Sequence, residues 1–332
     1  MPQLPKPAVD PVGSAIYEWY RTSRPQKHRA HLGGSQIGVE CDRALWYQFR
    51  WADTGKPEGR MIRLWRRGWD EEPKLEEELE AIGIKVESID PATGEQFRVA
   101  RHGGHFGHGA DGKVTGVPLG GEAVHLAEYK TANDKNWKAL KAKGLKVGQP
   151  KYYDQTQTGM LVHGLERCLF ISVNKNDDSI YTERVKLDRP YAEQLLERAG
   201  RIIFAPSPPV GISEDASFYK CKWCDMKEVC HYGKVAEVNC RTCVYSSPTD
   251  EGPNDEGPWR CDLHPDEPIP EDFQRTGCPS HVFHPALTGL GEVVDASDDL
   301  AKPGWVQYGD GTVNGDGGLS SADLRAKLNG PE

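Results

Sequence analysis

Residues 190–204, PYAEQLLERAGRIIF, set Ala192, Leu195, Leu196, Ala199, Ile202 and Ile203 at spacings of three and four behind a proline. That period buries one face of a helix, and proline suits a helix's first turn. The same reading predicts helix over 35–51, with Ser35 as a cap and Ile37, Cys41, Ala44, Leu45 and Gln48 on one face. It predicts a second helix over 61–81, stopped by Gly83, another over 150–164, and a short one around Ile16 to Arg21. The polar–apolar pattern shortens to alternation in 84–130, where IKVESID, QFRVARHGGHFGHGADGKVTGVP and EAVHLAEYK read as strands. Ala-Asp-Gly-Lys at 110–113 reads as a hairpin turn. CLFISVNKN and IYTERVKLD add a strand pair. Helices flanking a sheet make an α/β or α+β chain, and no internal repeat interrupts the order.

Composition divides the chain further. Residues 1–30 are a Pro-rich extension, 31–235 the main domain, 236–286 a Cys-rich module, and 287–332 a Gly- and Asp-rich stretch. That last stretch predicts a flexible acidic tail with one short helix near SSADLRAKL. The chain has 332 residues, 37% hydrophobic and 27% charged, and no apolar run of membrane-spanning length. Its start lacks the basic and apolar regions of a secretory signal, so the expectation is a reducing cytoplasm. There, nine cysteines point to metal and not to disulfides. The net charge of −9 is concentrated: 246–275 carries −7 and 289–332 carries −5, which leaves a weakly basic body. Nucleic-acid binding depends on local patches, so the total does not exclude it.

The candidate chemistry begins at two strand ends. Asp111 follows GHGA, and HLAEYKT presents Glu128 and Lys130 on one strand face with Tyr129 opposite. Adjacent antiparallel strands can bring Asp111 beside Glu128, and two such carboxylates can hold Mg2+ or Mn2+. A neighbouring lysine can orient the attacking water. Asp-Gly is also an ordinary turn, and Glu and Lys are also ordinary on a solvated strand. Glu72 adds a carboxylate where a basic helix turns acidic. RMIRLWRRGW (60–69) interleaves arginines with tryptophans, which suits phosphate tracking and base stacking and equally suits an amphipathic helix. Arg63, Arg66 and Arg67 are DNA-contact candidates, with Lys135 and Lys175.

The cysteines fall into two sets. Cys221, Cys224 and Cys230 form C-x2-C-x5-C, one ligand short of a closed site for zinc or iron–sulfur. Cys168 opens an apolar strand and reads as a buried thiol, so Cys41 is the expected fourth ligand, clamping the first helix to the end of the domain. Cys240, Cys243, Cys261 and Cys278 predict a zinc-ribbon-like Zn2+ site, with His264 and His281 as alternative ligands.

Cys41, Gly68-x3-Glu72, Asp111-Gly112, Glu128-Tyr129-Lys130, Gln155 and the C-x2-C-x5-C triplet stand in an order that resembles the PD-(D/E)XK nuclease superfamily. More closely, they resemble its RecB-like iron–sulfur branch, which includes CRISPR-associated exonucleases, AddB-type nuclease domains and phage exonucleases. The resemblance covers roughly residues 31–232. It implies a restriction-endonuclease-like α/β core, with a mixed central sheet flanked by helices, and a 4Fe-4S cluster on Cys41, Cys221, Cys224 and Cys230. It implies divalent metal on Glu72, Asp111 and Glu128, assisted by the Tyr129 carbonyl, with Lys130 positioning water. The implied reaction is DNA hydrolysis by an exonuclease, leaving 5′-phosphate and 3′-hydroxyl, in phage or mobile-element recombination beside an annealing protein or helicase. Two positions depart from the branch. Many members carry histidine where Glu72 stands. The branch's Q-x3-Y matches Gln149 to Tyr153 only across Pro150; Gln155 is better placed, with Gly159 where the tyrosine would be. The competing readings are a catalytically silent iron–sulfur DNA-binding protein, a restriction-type endonuclease, and a redox sensor.

Overall fold

The computed structural model describes residues 10–23, 28–55, 57–251, 257–297 and 304–330. The protein is a mixed α/β structure built on a five-stranded sheet. Its strand order is Lys85–Glu87, Gly112–Thr115, His125–Ala132, Arg167–Asn174 and Ile180–Lys186. The third and fourth strands run parallel, and the other neighbours are antiparallel. The two central strands are buried on both faces, which is why Arg167–Asn174 reads as a nearly continuous apolar run, while His125–Ala132 carries Glu128 and Lys130 along its length. Helices Asp134–Gly148 and Pro150–His163 pack Leu140, Tyr153 and Met160 against Leu126 and Phe170 on one face. Helix Glu72–Ala81 packs Leu75 and Leu79 against Val114, Tyr129 and Ile171 on the other.

Several boundaries differ from the sequence pattern. The helix expected over 35–51 is confined to Asp42–Phe49, with Cys41 as its N-cap. The 61–81 stretch is two helices, Gly59–Trp69 and Glu72–Ala81. Pro73 sits in the first turn of the second, where its missing N–H costs nothing, and it could not have continued the first. The residues at 110–113 are not a hairpin. Phe106–Gly109 pairs with Arg98–Arg101 and Leu32–Gly33 in a separate small sheet, whereas Gly112–Thr115 belongs to the central one. Asp111 therefore lies where the chain passes from one sheet to the other.

The C-terminal stretch expected to be flexible instead folds, over its described residues, into strands Val293–Ala296, Trp305–Tyr308 and Val313–Gly315 and helix Ser321–Asn329. Val306, Tyr308 and Leu324 are buried. Leu324, Phe283 and Trp259 share one core with Leu45, Trp46, Ala199 and Ile202, so the Cys-rich segment and the segment after it pack onto the main body. Among the described residues, no helix is long and apolar enough to cross a membrane.

Candidate active site

The pairing of Gly112 with Ala127 brings Asp111 beside the middle of the central strand. There the Tyr129 backbone N–H donates to Asp111 Oδ2 at 2.8 Å. Glu128 and Lys130 share the strand face opposite Tyr129, as alternation requires. The Lys130 ammonium donates to the Tyr129 carbonyl at 3.0 Å, pairs with Glu128, and lies 3.9 Å from Asp111 Oδ2. Gln155, reaching up from helix Pro150–His163, donates through Nε2 to Glu128 Oε1 at 2.6 Å. The other oxygen, Glu128 Oε2, is buried with no hydrogen-bond partner. Glu72 opens its helix beside these groups. It lines, with Tyr129 and Lys130, a cavity of about 1010 Å3.

The electrostatics follow from burial. Desolvation pushes the Glu72 carboxyl up to about 7, and the negative charge of Asp111 adds to it. Burial likewise lifts Glu128 to about 7 against the opposing pull of Lys130. Burial works against the Lys130 ammonium too, yet Glu128 and Asp111 hold it above its usual range. Three carboxylates facing one ammonium leave an excess of negative charge in a half-closed site. Among the described residues, no group of three or more His, Cys, Asp or Glu side chains is arranged as it stands to hold a metal ion. At this site the Lys130 ammonium is folded onto the carboxylates. The unpartnered Glu128 Oε2 is the atom that suits a cation.

The DNA-contact candidates divide. Lys175 lines the cavity. From helix Gly59–Trp69, the wall is made by Met61, Leu64, Trp65, Gly68 and Trp69, not by Arg63, Arg66 or Arg67. Arg66 is turned to the Tyr20 hydroxyl at 3.1 Å and to Asp70 at 3.3 Å, and Arg63 and Arg67 are exposed. Lys135 is exposed in the first turn of helix Asp134–Gly148 and does not line the cavity. Tyr152 also lines the cavity, with its ring 5.7 Å from the Lys130 ammonium. The space beside Gly159 is filled by His108: a Cβ at 159 would lie 2.6 Å from His108 Nε2. His108 is buried, burial pushes it down to about 3, and its Nδ1 lies 3.3 Å from His163 Nε2. Only the histidine–glycine density of HFGHG marked this residue in the sequence.

Cys41, Cys221, Cys224 and Cys230 line a second cavity of about 390 Å3. Arg198 anchors the approach to Cys41 by donating to the Ile37 and Val39 carbonyls at 2.6 Å each and to Asp42. Burial raises the Cys221 and Cys224 thiols, and both feel the charges of Cys41 and Cys230. Gln48, Asp225 and Met226 line both cavities and so form the partition between them. In the second cysteine set the Cys243 backbone N–H donates to the Cys240 carbonyl at 3.1 Å. Burial lifts the Cys240 thiol to about 11 and the Cys243 thiol to about 12, and other cysteines of the set add to both shifts. His281 turns Nε2 to the Asn239 carbonyl at 3.0 Å, inside the fold, and His264 is exposed.

No known protein family matches the chain, and no curated protein matches its sequence. Among solved structures it is similar to LHK-Exo, an alkaline exonuclease from Laribacter hongkongensis also solved in complex with dAMP. That likeness has 18% identity and a TM-score of 0.37, and it covers 56% of this chain and 89% of that one. It is similar also to SSO0001, with 14% identity and a TM-score of 0.41, over 66% of this chain and 96% of that one. Both likenesses concern the fold alone.

Proposed function

We propose that the chain is a divalent-metal-dependent DNA exonuclease of the PD-(D/E)XK type. The observation that carries this reading is the convergence of Asp111, Glu128 and Lys130, fixed by Tyr129 N–H and Gln155, beside Glu72 at the cavity wall. Two of these carboxyls are held near neutrality by burial, and the unpartnered Glu128 Oε2 supplies a ligand atom. Mg2+ or Mn2+ held by Glu72, Asp111, Glu128 and the Tyr129 carbonyl would polarise a phosphate and acidify a bound water. The chain's own groups do the rest. Gln155 fixes one Glu128 oxygen and leaves the other free. Lys130 holds the attacking water and meets the charge that develops on the phosphate. Trp65 and Trp69 give the cavity aromatic faces for bases, and Lys175 gives a cation for backbone phosphate.

The exonuclease assignment, with 5′-phosphate and 3′-hydroxyl products, follows the sequence resemblance. So do a recombination role beside an annealing protein or helicase and a 4Fe-4S cluster on Cys41, Cys221, Cys224 and Cys230. The cluster reading is supported by the four thiols lining one cavity. A structural Zn2+ on Cys240, Cys243, Cys261 and Cys278 follows their spacing in sequence and would have to draw the four thiols together.

End-labelled linear DNA and closed circular DNA, each with Mn2+, test the activity. Wild type is expected to degrade linear DNA from its ends and spare the circle. Lys130→Ala should lose on the order of 10²–10³-fold in rate with its fold intact. Cutting of the circle would replace the exonuclease by an endonuclease. Binding without turnover would leave a DNA-binding protein.

A further inference from the structure

Arg43 lies two residues after Cys41, in the first turn of helix Asp42–Phe49. Its guanidinium is used on every edge. Nε donates to the Pro209 carbonyl at 3.1 Å. Nη1 and Nη2 grip the two Glu214 oxygens at 3.0 and 2.6 Å. Nη1 also reaches Cys230 Sγ at 3.8 Å. The loop carrying Pro209 and Glu214 crosses this side chain closely, because a Cβ at Gly211 would lie 2.8 Å from the guanidinium carbon. Gly211, Ile212 and Ser213, in the same loop, line the cysteine cavity.

The exposures separate two roles. The Arg43 side chain is 17% exposed and Glu214 is 73% exposed. An ion pair whose carboxylate stands in water contributes little stability by itself. The bidentate grip instead fixes the plane of the guanidinium, which leaves a donor aimed at sulfur inside the cavity. A lysine carries the charge without the planar fork, so it would not fix the direction of the donor toward sulfur.

We propose that Arg43 is a positioning residue for the cysteine-held cluster. It ties loop 209–214 across the cavity mouth and donates a hydrogen bond to the Cys230 sulfur, keeping the cluster's reduction potential up and solvent out. This rests on the cluster reading above. Hydrogen bonds to cluster sulfurs, nearby charge and solvent exposure are the levers a protein holds over such a potential. A fixed cation and an N–H donor both favour the reduced, more negative form.

The test uses the full chain, purified without oxygen, as wild type, Arg43→Gln, Arg43→Lys and Glu214→Gln. Three quantities are read: iron per chain, the midpoint potential of the one-electron couple titrated with dithionite, and the rate of iron loss to a chelator. Arg43→Gln is expected to disfavour the reduced form about tenfold, a fall of about 59 mV, and to speed iron loss. Glu214→Gln should speed iron loss with a smaller change in potential, since the sulfur donor remains. Arg43→Lys should fall between wild type and Arg43→Gln in potential, and it decides the matter if Arg43→Gln cannot retain iron. Unchanged potential and unchanged iron loss in both Arg43 variants, at full iron content, would overturn the assignment. Wild-type protein holding zinc and no iron at these cysteines would overturn the cluster reading and this inference with it.

Discussion

Glu128 treats its two oxygens differently, and the proposed metal site rests on that difference. Its Oε1 is taken by Gln155 and Lys130, and its Oε2 is buried with no partner. Glu72 stands beside it with a carboxyl pushed up to about 7, by burial first and by Asp111 second. A carboxyl raised on folding binds its proton more tightly in the native state than in the unfolded chain. Its contribution to stability is therefore complete below the ordinary value of 4.5 and is lost as pH rises through about 7. Metal binding needs the deprotonated form, so cation affinity should rise over the same window. Relative to a Glu72→Gln, Glu128→Gln double variant, which keeps the same buried histidines, metal-free protein is expected to lose melting temperature from about pH 5 to pH 8, while the rise in Tm caused by Mn2+ grows. Thermal unfolding with and without Mn2+ across that range checks both trends. A Mn2+ shift that does not change with pH would remove Glu72 and Glu128 from the metal site.

At the scale of elements, helix Pro150–His163 owes its fit to the small residue at 159. A Cβ there would stand 2.6 Å from His108 Nε2 and 2.8 Å from Leu126 Cδ2. Gly159→Ala should cost about 1–3 kcal/mol by overpacking, and adding His108→Ala should return part of that loss; urea unfolding of the two single variants and the double measures the coupling. Helix Gly59–Trp69 makes a different prediction. Its cavity wall carries Trp65 and Trp69, so Trp69→Ala should weaken single-stranded DNA binding by about 1–3 kcal/mol. Arg63→Ala should weaken it less, as read by anisotropy on Lys130→Ala protein at fixed salt. Equal losses would return the arginine face to the DNA. Strict period made the helix at 189–203 legible in sequence, and alternation made the Glu128–Lys130 face legible; the helix at 150–163 is buried on nearly every side and shows no such period. Helix Asp134–Gly148 was not, because five lysines surround Trp137, Leu140 and Leu145 and the backbone turns left-handed at Gly144. The 110–113 turn misled because Asp-Gly serves a passage between sheets as readily as a hairpin.

For the whole molecule, the decisive side chain is Arg241, between two cysteines of the C-terminal set. It is 1% exposed. It donates to the Phe49 carbonyl at 3.1 Å and to Gln274 at 2.9 Å, and it lies 3.7 Å from the centre of the Trp51 ring. Arg50 returns a hydrogen bond to the Arg241 carbonyl at 3.0 Å, and Asn239 donates to the Trp51 carbonyl at 3.1 Å. Phe49 and Trp51 line the cavity beside Glu72, and Cys41 caps the helix that ends at Phe49. One short helix therefore joins the first cysteine cavity, the cavity beside Glu72 and the second cysteine set. Composition could not show this. A low apolar content around Cys240–Cys278 reads as a separate stapled module, and the Gly and Asp after it read as a tail, because sequence counts apolar residues and not what lies opposite them. Trp259, Phe283 and Leu324 are few, but they are buried against the main body. Arg241→Met should leave the Phe49 carbonyl and Gln274 unpaired and cost about 2–3 kcal/mol. It should weaken DNA binding at the same time, through the displaced cavity wall. Calorimetry of the full chain should show one unfolding transition, and Arg241→Met should move that whole transition downward. Two transitions, with only one of them moved by the substitution, would mean that the Cys-rich segment folds alone and that the cavity owes it nothing.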